Sequence, residues 1–323
     1  MDYKVKLLTN NFDELKQVKS TYGIGMVLHG CALSYTVKNK NIDHKHVNNC
    51  IDLIRENTTI FSDFRGNTSV NTAVLLSYQP NPKESLDEIL EIHKKLRHKK
   101  FYSSYELALV ANMIYENKEN IHIDEFIERM KFVNEKMRLN HPCLTSVDDY
   151  LSACTITLIS KNIEQDLENM EKAYEYLSKN GFHKNNTLQS LSQVISLTQK
   201  ENIWRECKSI KKELERSKCK FHEFGYPLIG VIALLELKDI GQVIRYIKET
   251  SNILKNHEGY GKFSLGERYR NVIGGILVVS KYTNEIDINQ FIIDKVIGDI
   301  NKGMNIAITT ATTSSILTNT TLT

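Results

Sequence analysis

Proline is scarce in this chain. Its 323 residues include four, Pro80, Pro82, Pro142 and Pro227. Proline lacks an amide hydrogen and breaks helix interiors, so its scarcity leaves room for long uninterrupted helices. Excess charge is also small: 42 basic against 39 acidic residues give a net charge of +3. That balance argues against nucleic acid as a partner on bulk electrostatics. No apolar run reaches the roughly 18 residues that a membrane-spanning helix needs. The six cysteines, Cys31, Cys50, Cys143, Cys154, Cys207 and Cys219, contain no C-x-x-C pair, which removes the usual zinc and redox motifs. The opening Met1-Asp2-Tyr3-Lys4 has no apolar leader, so buried, reduced thiols in the cytoplasm are expected. Phosphate-binding, zincin and nucleophile-elbow motifs are missing, and Gly23-Ile-Gly25 lacks the third glycine of a dinucleotide fingerprint. No cofactor and no metal are therefore expected.

What is present is a recurring apolar helical segment. Such segments close at Leu76, Ile114, Ile159, Leu197, Leu235 and Val279, about every forty residues, a period typical of stacked helical hairpins. Each is followed by a polar turn and a more charged amphipathic helix; Phe126, Met130, Val133 and Met137, for example, share one face. Period-2 alternation, the mark of a strand, is missing. The sequence thus predicts an all-α fold of stacked helical hairpins, an open HEAT-like α-solenoid or alternatively a closed α/α toroid. Residues 1–62 read as an N-terminal helical cap. Residues 63–303 read as six hairpins, each an apolar first helix followed by its amphipathic partner. Residues 304–323 form an uncharged tail, expected to pack as a last helix, and the whole is one structural domain. Ser103…Glu106, Thr145…Asp148, Asn186…Gln189 and Ser264…Glu267 match the capping box at the starts of first helices. First helices such as Ile229–Leu235 are apolar all round and should form the buried layer.

Few residues suggest chemistry. Arg65, in Phe64-Arg65-Gly66, could hold an anion through its planar fork or cap the carbonyls of a neighbouring helix. His141 and Asp149 belong to the densest polar cluster, His141-Pro-Cys-Leu-Thr-Ser-Val-Asp-Asp-Tyr150, which could carry acid–base groups. No second ligand stands at helical spacing from His141, so it is no metal signature. His29 reads as a core histidine, and His44, His46 and His183 as surface ones. The run His93–Tyr102 is strongly basic with aromatic neighbours, which on an outer helix reads as a solvated face rather than a base-stacking one.

Phe64-Arg65-Gly66, His141-Pro142-Cys143-Leu144-Thr145-Ser146 with Asp149-Tyr150, and Gly181-Phe182 with Leu188-Gln189-Ser190-Leu191-Ser192 together resemble a bacterial family catalogued as a domain of unknown function. Its members are all-helical and of about this length. The charge-free tail is similar too, although it is threonine-rich here and alanine-rich there. The resemblance implies a bacterial cytoplasmic protein and no particular activity.

These observations favour a non-enzymatic helical-repeat scaffold that binds a protein or peptide on its concave face. The alternative is an enzyme or small-anion binder. In it Arg65, His141, Asp149, Gln189 and Arg268, all at the opening turns of first helices, gather around one polar pocket.

Overall fold

The computed structural model describes residues 2–19, 25–140, 149–196, 203–235, 239–262, 264–282 and 296–297. Among them are fourteen α-helices and no strand. In chain order these are α1 (Asp2–Lys16), α2 (Gly25–Val37), α3 (His44–Asn57), α4 (Asn67–Ser77), α5 (Pro82–His98), α6 (Tyr105–Glu116) and α7 (Ile123–Asn140). They continue as α8 (Tyr150–Ile159), α9 (Ile163–Ser178), α10 (Asn186–Ser196), α11 (Ile203–Arg216), α12 (Tyr226–Leu234), α13 (Ile240–Leu254) and α14 (Glu267–Tyr282). The expected tail helix over 304–323 and the expected helix over 288–302 lie outside the described residues, apart from 296–297.

Odd and even helices differ in kind. α11 buries Ile203, Cys207, Ile210 and Leu214, one stripe at helical spacing, and leaves its charged face to solvent. α12 buries every one of its residues from Tyr226 to Leu234. The even helices therefore make the core, and the odd ones cover it.

The packing frame differs by one helix from the one the periodicity suggests. Apart from an equally extensive contact of α10 with α12, the most extensive contacts join α1 with α2, α3 with α4, α5 with α6, α7 with α8, α9 with α10, α11 with α12 and α13 with α14. An amphipathic helix thus precedes its apolar partner, and α4 touches α5 much less than it touches α3. The boundary read at residue 62 falls between α3 and α4, which pack closely. Periodicity cannot distinguish the two frames, because both contain the same alternation of faces. Each even helix also touches the next even one, and α14 touches α2, while α13 touches α1.

Local chemistry explains where the helices start and stop. Asp43, Asn81, Asn162 and Asp239 cap α3, α5, α9 and α13, accepting the amides of Lys45, Glu84, Gln165 and Gln242 at 2.8, 3.4, 3.2 and 2.8 Å. The helix-start signal is thus strongest on the odd helices. On even helices the caps sit one residue from the expected ones. Ser104, not Ser103, caps α6 through the Leu107 amide at 3.1 Å. Asn185, not Asn186, accepts the Leu188 amide at 3.0 Å. Ser264 caps nothing, because Gly266, at φ 76, turns the chain just before α14 begins at Glu267. Thr145 and Asp148 lie outside the described residues.

Three odd helices end alike. The amides of Phe101, Phe182 and Cys219 bond back to the carbonyls of Leu96, Leu177 and Leu214 at 3.3, 3.2 and 2.9 Å. In each case the residue between, Lys100 (φ 71), Gly181 (φ 92) or Lys218 (φ 53), is left-handed. This is a Schellman closure, and it buries the residue after the turn. Phe101 and Phe182 then meet the tyrosines that open α8 and α12, Tyr150 and Tyr226, edge to face at 5.0 and 5.1 Å.

The last helix pair meets the first through a small aromatic cluster. His29 of α2 stacks on Phe12 of α1 at 4.2 Å and meets Tyr260 edge-on at 4.6 Å. Gly259 has φ +81, and a Cβ there would lie 2.4 Å from the Phe12 ring, so only glycine fits. Lys16 bonds Glu258 at 2.8 Å on the surface of this junction.

Candidate functional site

The turns from odd to even helices carry most of the sequence-predicted residues, and each turn handles its polar groups differently. At the α3–α4 turn Arg65 is spent on structure. Its Nε donates to Thr58 Oγ1 at 2.9 Å, and its Nη2 donates to the Arg55 and Thr58 carbonyls at 2.5 and 2.6 Å. It closes the C-terminus of α3, where the last carbonyls have no partner within the helix.

Beside it, Asp63 ties three elements together. Its carboxylate accepts the Ser103 hydroxyl at 2.6 Å and the Ser104 amide at 3.0 Å, and His93 Nε2 of α5 stands 2.8 Å from it. Burial works to raise this carboxyl; the hydrogen bonds from His93 and Ser103, the His93 charge and the Ser104 amide outweigh it and hold the group below the usual carboxylate range.

Further along, the polar groups stand deeper. Thr68 of α4, Glu106 of α6, Asp149 at the start of α8, Gln189 of α10 and Arg270 of α14 are all buried near the first turn of an even helix. Asp149 occupies the N-cap position of α8 without making a side-chain cap. Its neighbour Tyr150 accepts the Tyr102 amide at 3.0 Å, and burial pushes its phenol upward. Gln189 and Gln193 are each 1% exposed, and neither the amide nitrogen nor the oxygen of either side chain has a hydrogen-bond partner within the protein. Thr68 Oγ1, Asn112 Oδ1 and Arg270 Nε share that condition. Arg270 spends its Nη1 on the Tyr260 carbonyl at 3.0 Å. The predicted Arg268 is exposed, two residues short of this buried arginine. His141 lies outside the described residues.

Sequence reasoning missed Thr68, Glu106, Gln193 and Arg270. Gln193 was within reach, since it stands one helical turn beyond Gln189 on the same face. Glu106 was read as a capping partner. Arg270 gives no signal that separates it from Arg268.

Among the described residues, Glu14, Asp43 and His44 bring ligand atoms within 4.8 Å of one another, as a cation site would need. Each already has a task in the fold. Glu14 Oε2 accepts the His44 amide at 3.0 Å and stands 2.7 Å from His44 Nδ1, and Asp43 caps α3. The five described cysteines are free and buried. Burial pushes the Cys31 thiol up to about 12 and those of Cys50 and Cys219 to about 11, and it raises Cys154 and Cys207 as well. None is poised as a nucleophile.

The basic run on α5 lines a shallow cleft of about 260 Å³ with Lys94, Lys95, His98 and Lys99. The acids of α7 answer it: Lys95 pairs with Asp124 at 2.8 Å, and Lys99 pairs with Glu128. Among the described residues no helix is long and apolar enough to cross a membrane.

Residues 11–312 match the family described as protein of unknown function, DUF4003. The chain belongs to that family. It is also similar to the uncharacterized protein YeaA of Bacillus subtilis strain 168, with 24% identity over 250 residues, 75% of either chain. No solved structure matches.

Proposed function

We propose that the seven helix pairs close into an α/α toroid and that the protein binds a small polar ligand among the first turns of its even helices. The contacts of α14 with α2 and of α13 with α1 support closure. A closed ring leaves less concave surface for a peptide than an open solenoid would. The observation that carries the ligand reading is the set of buried polar groups at equivalent opening turns, several of them unpartnered. A buried polar atom without a partner costs about 1–3 kcal/mol, so the unmet Thr68 hydroxyl and the unmet amides of Gln189 and Gln193 favour a ligand that meets them. Glu106 and Asp149 are the buried carboxylates of those opening turns. Five free buried thiols fit a reducing cytoplasm.

Native mass spectrometry of protein purified from its own cells tests this reading. A discrete small-molecule adduct, lost on denaturation, is the expected result. Bare protein whose melting temperature equals that of refolded material would overturn it.

A second reading, a protein or peptide partner, has its own support. Ile60 and Phe61 on the α3–α4 turn, Tyr102 on the α5–α6 turn and Leu139 at the end of α7 are 76%, 88%, 66% and 76% exposed. Large apolar side chains standing free on successive turns are common at interaction surfaces. Replacing Ile60 and Phe61 with serine should abolish co-purification of such a partner without changing the melting temperature; unchanged co-purification would remove this reading.

A further inference from the structure

We propose that Gln189 and Gln193 recognise a neutral, planar group that offers a hydrogen-bond donor and an acceptor side by side, of the carboxamide or nucleobase kind. The inference rests on the polar-ligand reading above and names what is bound. Four observations carry it.

The two side chains stand one turn apart on α10, so their amides lie on the same face. A Cβ on Gly230 of α12 would meet Leu191, Val194 and Ile195, which fixes the face of α10 that packs on α12. At about 100° per residue, Gln189 and Gln193 lie on the side away from α12, at 1% exposure. All four of their polar atoms lack a partner within the protein. Neighbouring hydroxyls do not compensate, because Ser192 and Ser196 donate to the carbonyls of Leu188 and Gln193 on their own helix, each at 2.9 Å.

The chemistry of the group follows from these donors. A glutamine amide presents N–H and C=O in one plane, and its best partner presents the complementary pair, as adenine does to an asparagine or glutamine. α10 carries no charged residue between Asn186 and Ser196. A buried anion beside it would have no counter-charge from that helix, and burying an unpaired charge is far costlier than burying a hydrogen-bonded neutral group. A neutral ligand edge satisfies both amides, whereas an anion would satisfy only their N–H groups.

The test uses the full chain with thermal-shift and calorimetric titrations. Uracil, adenine and nicotinamide are the neutral probes, and inorganic phosphate and acetate the anionic ones. At least one neutral probe should raise the melting temperature by about 3 °C or more at saturation. The Gln189→Leu and Gln193→Leu variants should each lose at least about tenfold in affinity for that probe. Should either leucine variant fail to fold, Gln193→Met and Gln189→Met repeat the measurement with a flexible side chain of similar length. Stabilisation by nicotinamide but not the bases would assign the carboxamide source, and the reverse would assign the nucleobase source. A probe response retained in both variants would overturn the assignment to these residues. Stabilisation by phosphate alone, undiminished in the variants, would overturn the neutral class while leaving the polar-ligand reading standing. No response to any probe, with no adduct on the natively purified protein, would overturn both.

Discussion

At the Asp63 junction both carboxylate oxygens are answered, by His93, Ser103 and Ser104 on two other elements. Along α10 two amides are buried at least as deeply and nothing in the protein answers them. Both regions withdraw polar side chains from solvent, Asp63 in part and the two amides almost completely. The difference separates two uses of a buried polar group. Asp63 converts its partial burial into a junction, because its partners lie on α5 and on the turn before α6. Gln189 and Gln193 fix nothing internal, so their burial has to be accounted for by something else. Their partners tell the two uses apart.

Four measurements would break or sharpen that contrast. The largest effect is expected at the junction. Asp63→Ala takes the acceptor from three hydrogen bonds, those of the half-buried His93 and Ser104 and the exposed Ser103, and should cost about 3 kcal/mol in denaturant unfolding; a loss under about 1 kcal/mol would mean that solvent replaces Asp63 freely. The same carboxylate, held low by its donors, contributes stability above its ordinary pKa, and that contribution disappears as pH falls through the lowered value.

The acid response of His29 is next. Desolvation lowers its pKa from 6.5 to about 4, against a hydrogen bond to Gly259 that works upward. The unfolded chain takes up a proton below pH 6.5 that the folded one refuses until about pH 4, so stability falls across that window and levels off below it. The loss should be about 3 kcal/mol, and His29→Gln should flatten the profile there. An unchanged profile in that variant would put the acid sensitivity elsewhere.

The α10 amides should respond with the opposite sign from Asp63. Replacing both Gln189 and Gln193 with leucine should raise the stability of the ligand-free protein by about 2 kcal/mol, since two unpaired polar groups leave the interior. A loss of similar size would mean that the amides are already satisfied, and the contrast with Asp63 would fall. The smallest effect is Ser104→Ala, which removes the cap of α6 and should cost about 1 kcal/mol; a neutral result would show that the Asp63 contact alone holds that helix start.

How much of this was readable beforehand differs from place to place. The alternation of apolar and amphipathic helices was plain in segments such as Ile229–Leu235 and Phe126–Met137, because helical spacing of apolar residues is a local property. The family resemblance was also readable from short motifs, and the match over residues 11–312 bears it out. The pairing frame was not readable. A hairpin and its neighbour share one helix, and only the contact of α3 with α4 shows which pair forms the unit. The caps at Ser104 and Asn185 were missed by a single residue, since Ser103-Ser104 and Asn185-Asn186 offer two equivalent caps and the turn decides between them. For the site, Asp149 and Gln189 were named and are buried, Arg65 was named and serves the end of α3, and Arg268 was named where Arg270 is the residue inside. Sequence supplies the residue type near a helix start, but burial depends on a helical phase that a shift of two residues reverses.

Composition and periodicity by themselves determined that this protein is helical and which faces are apolar, because each of these depends on residues a few positions apart. Tertiary structure alone decided that the last helix pair meets the first through Phe12, His29 and Tyr260, and that the amides of α10 lie enclosed without partners. Those outcomes depend on residues more than two hundred positions apart in the chain or on separate helices, and no local pattern encodes a contact across that distance.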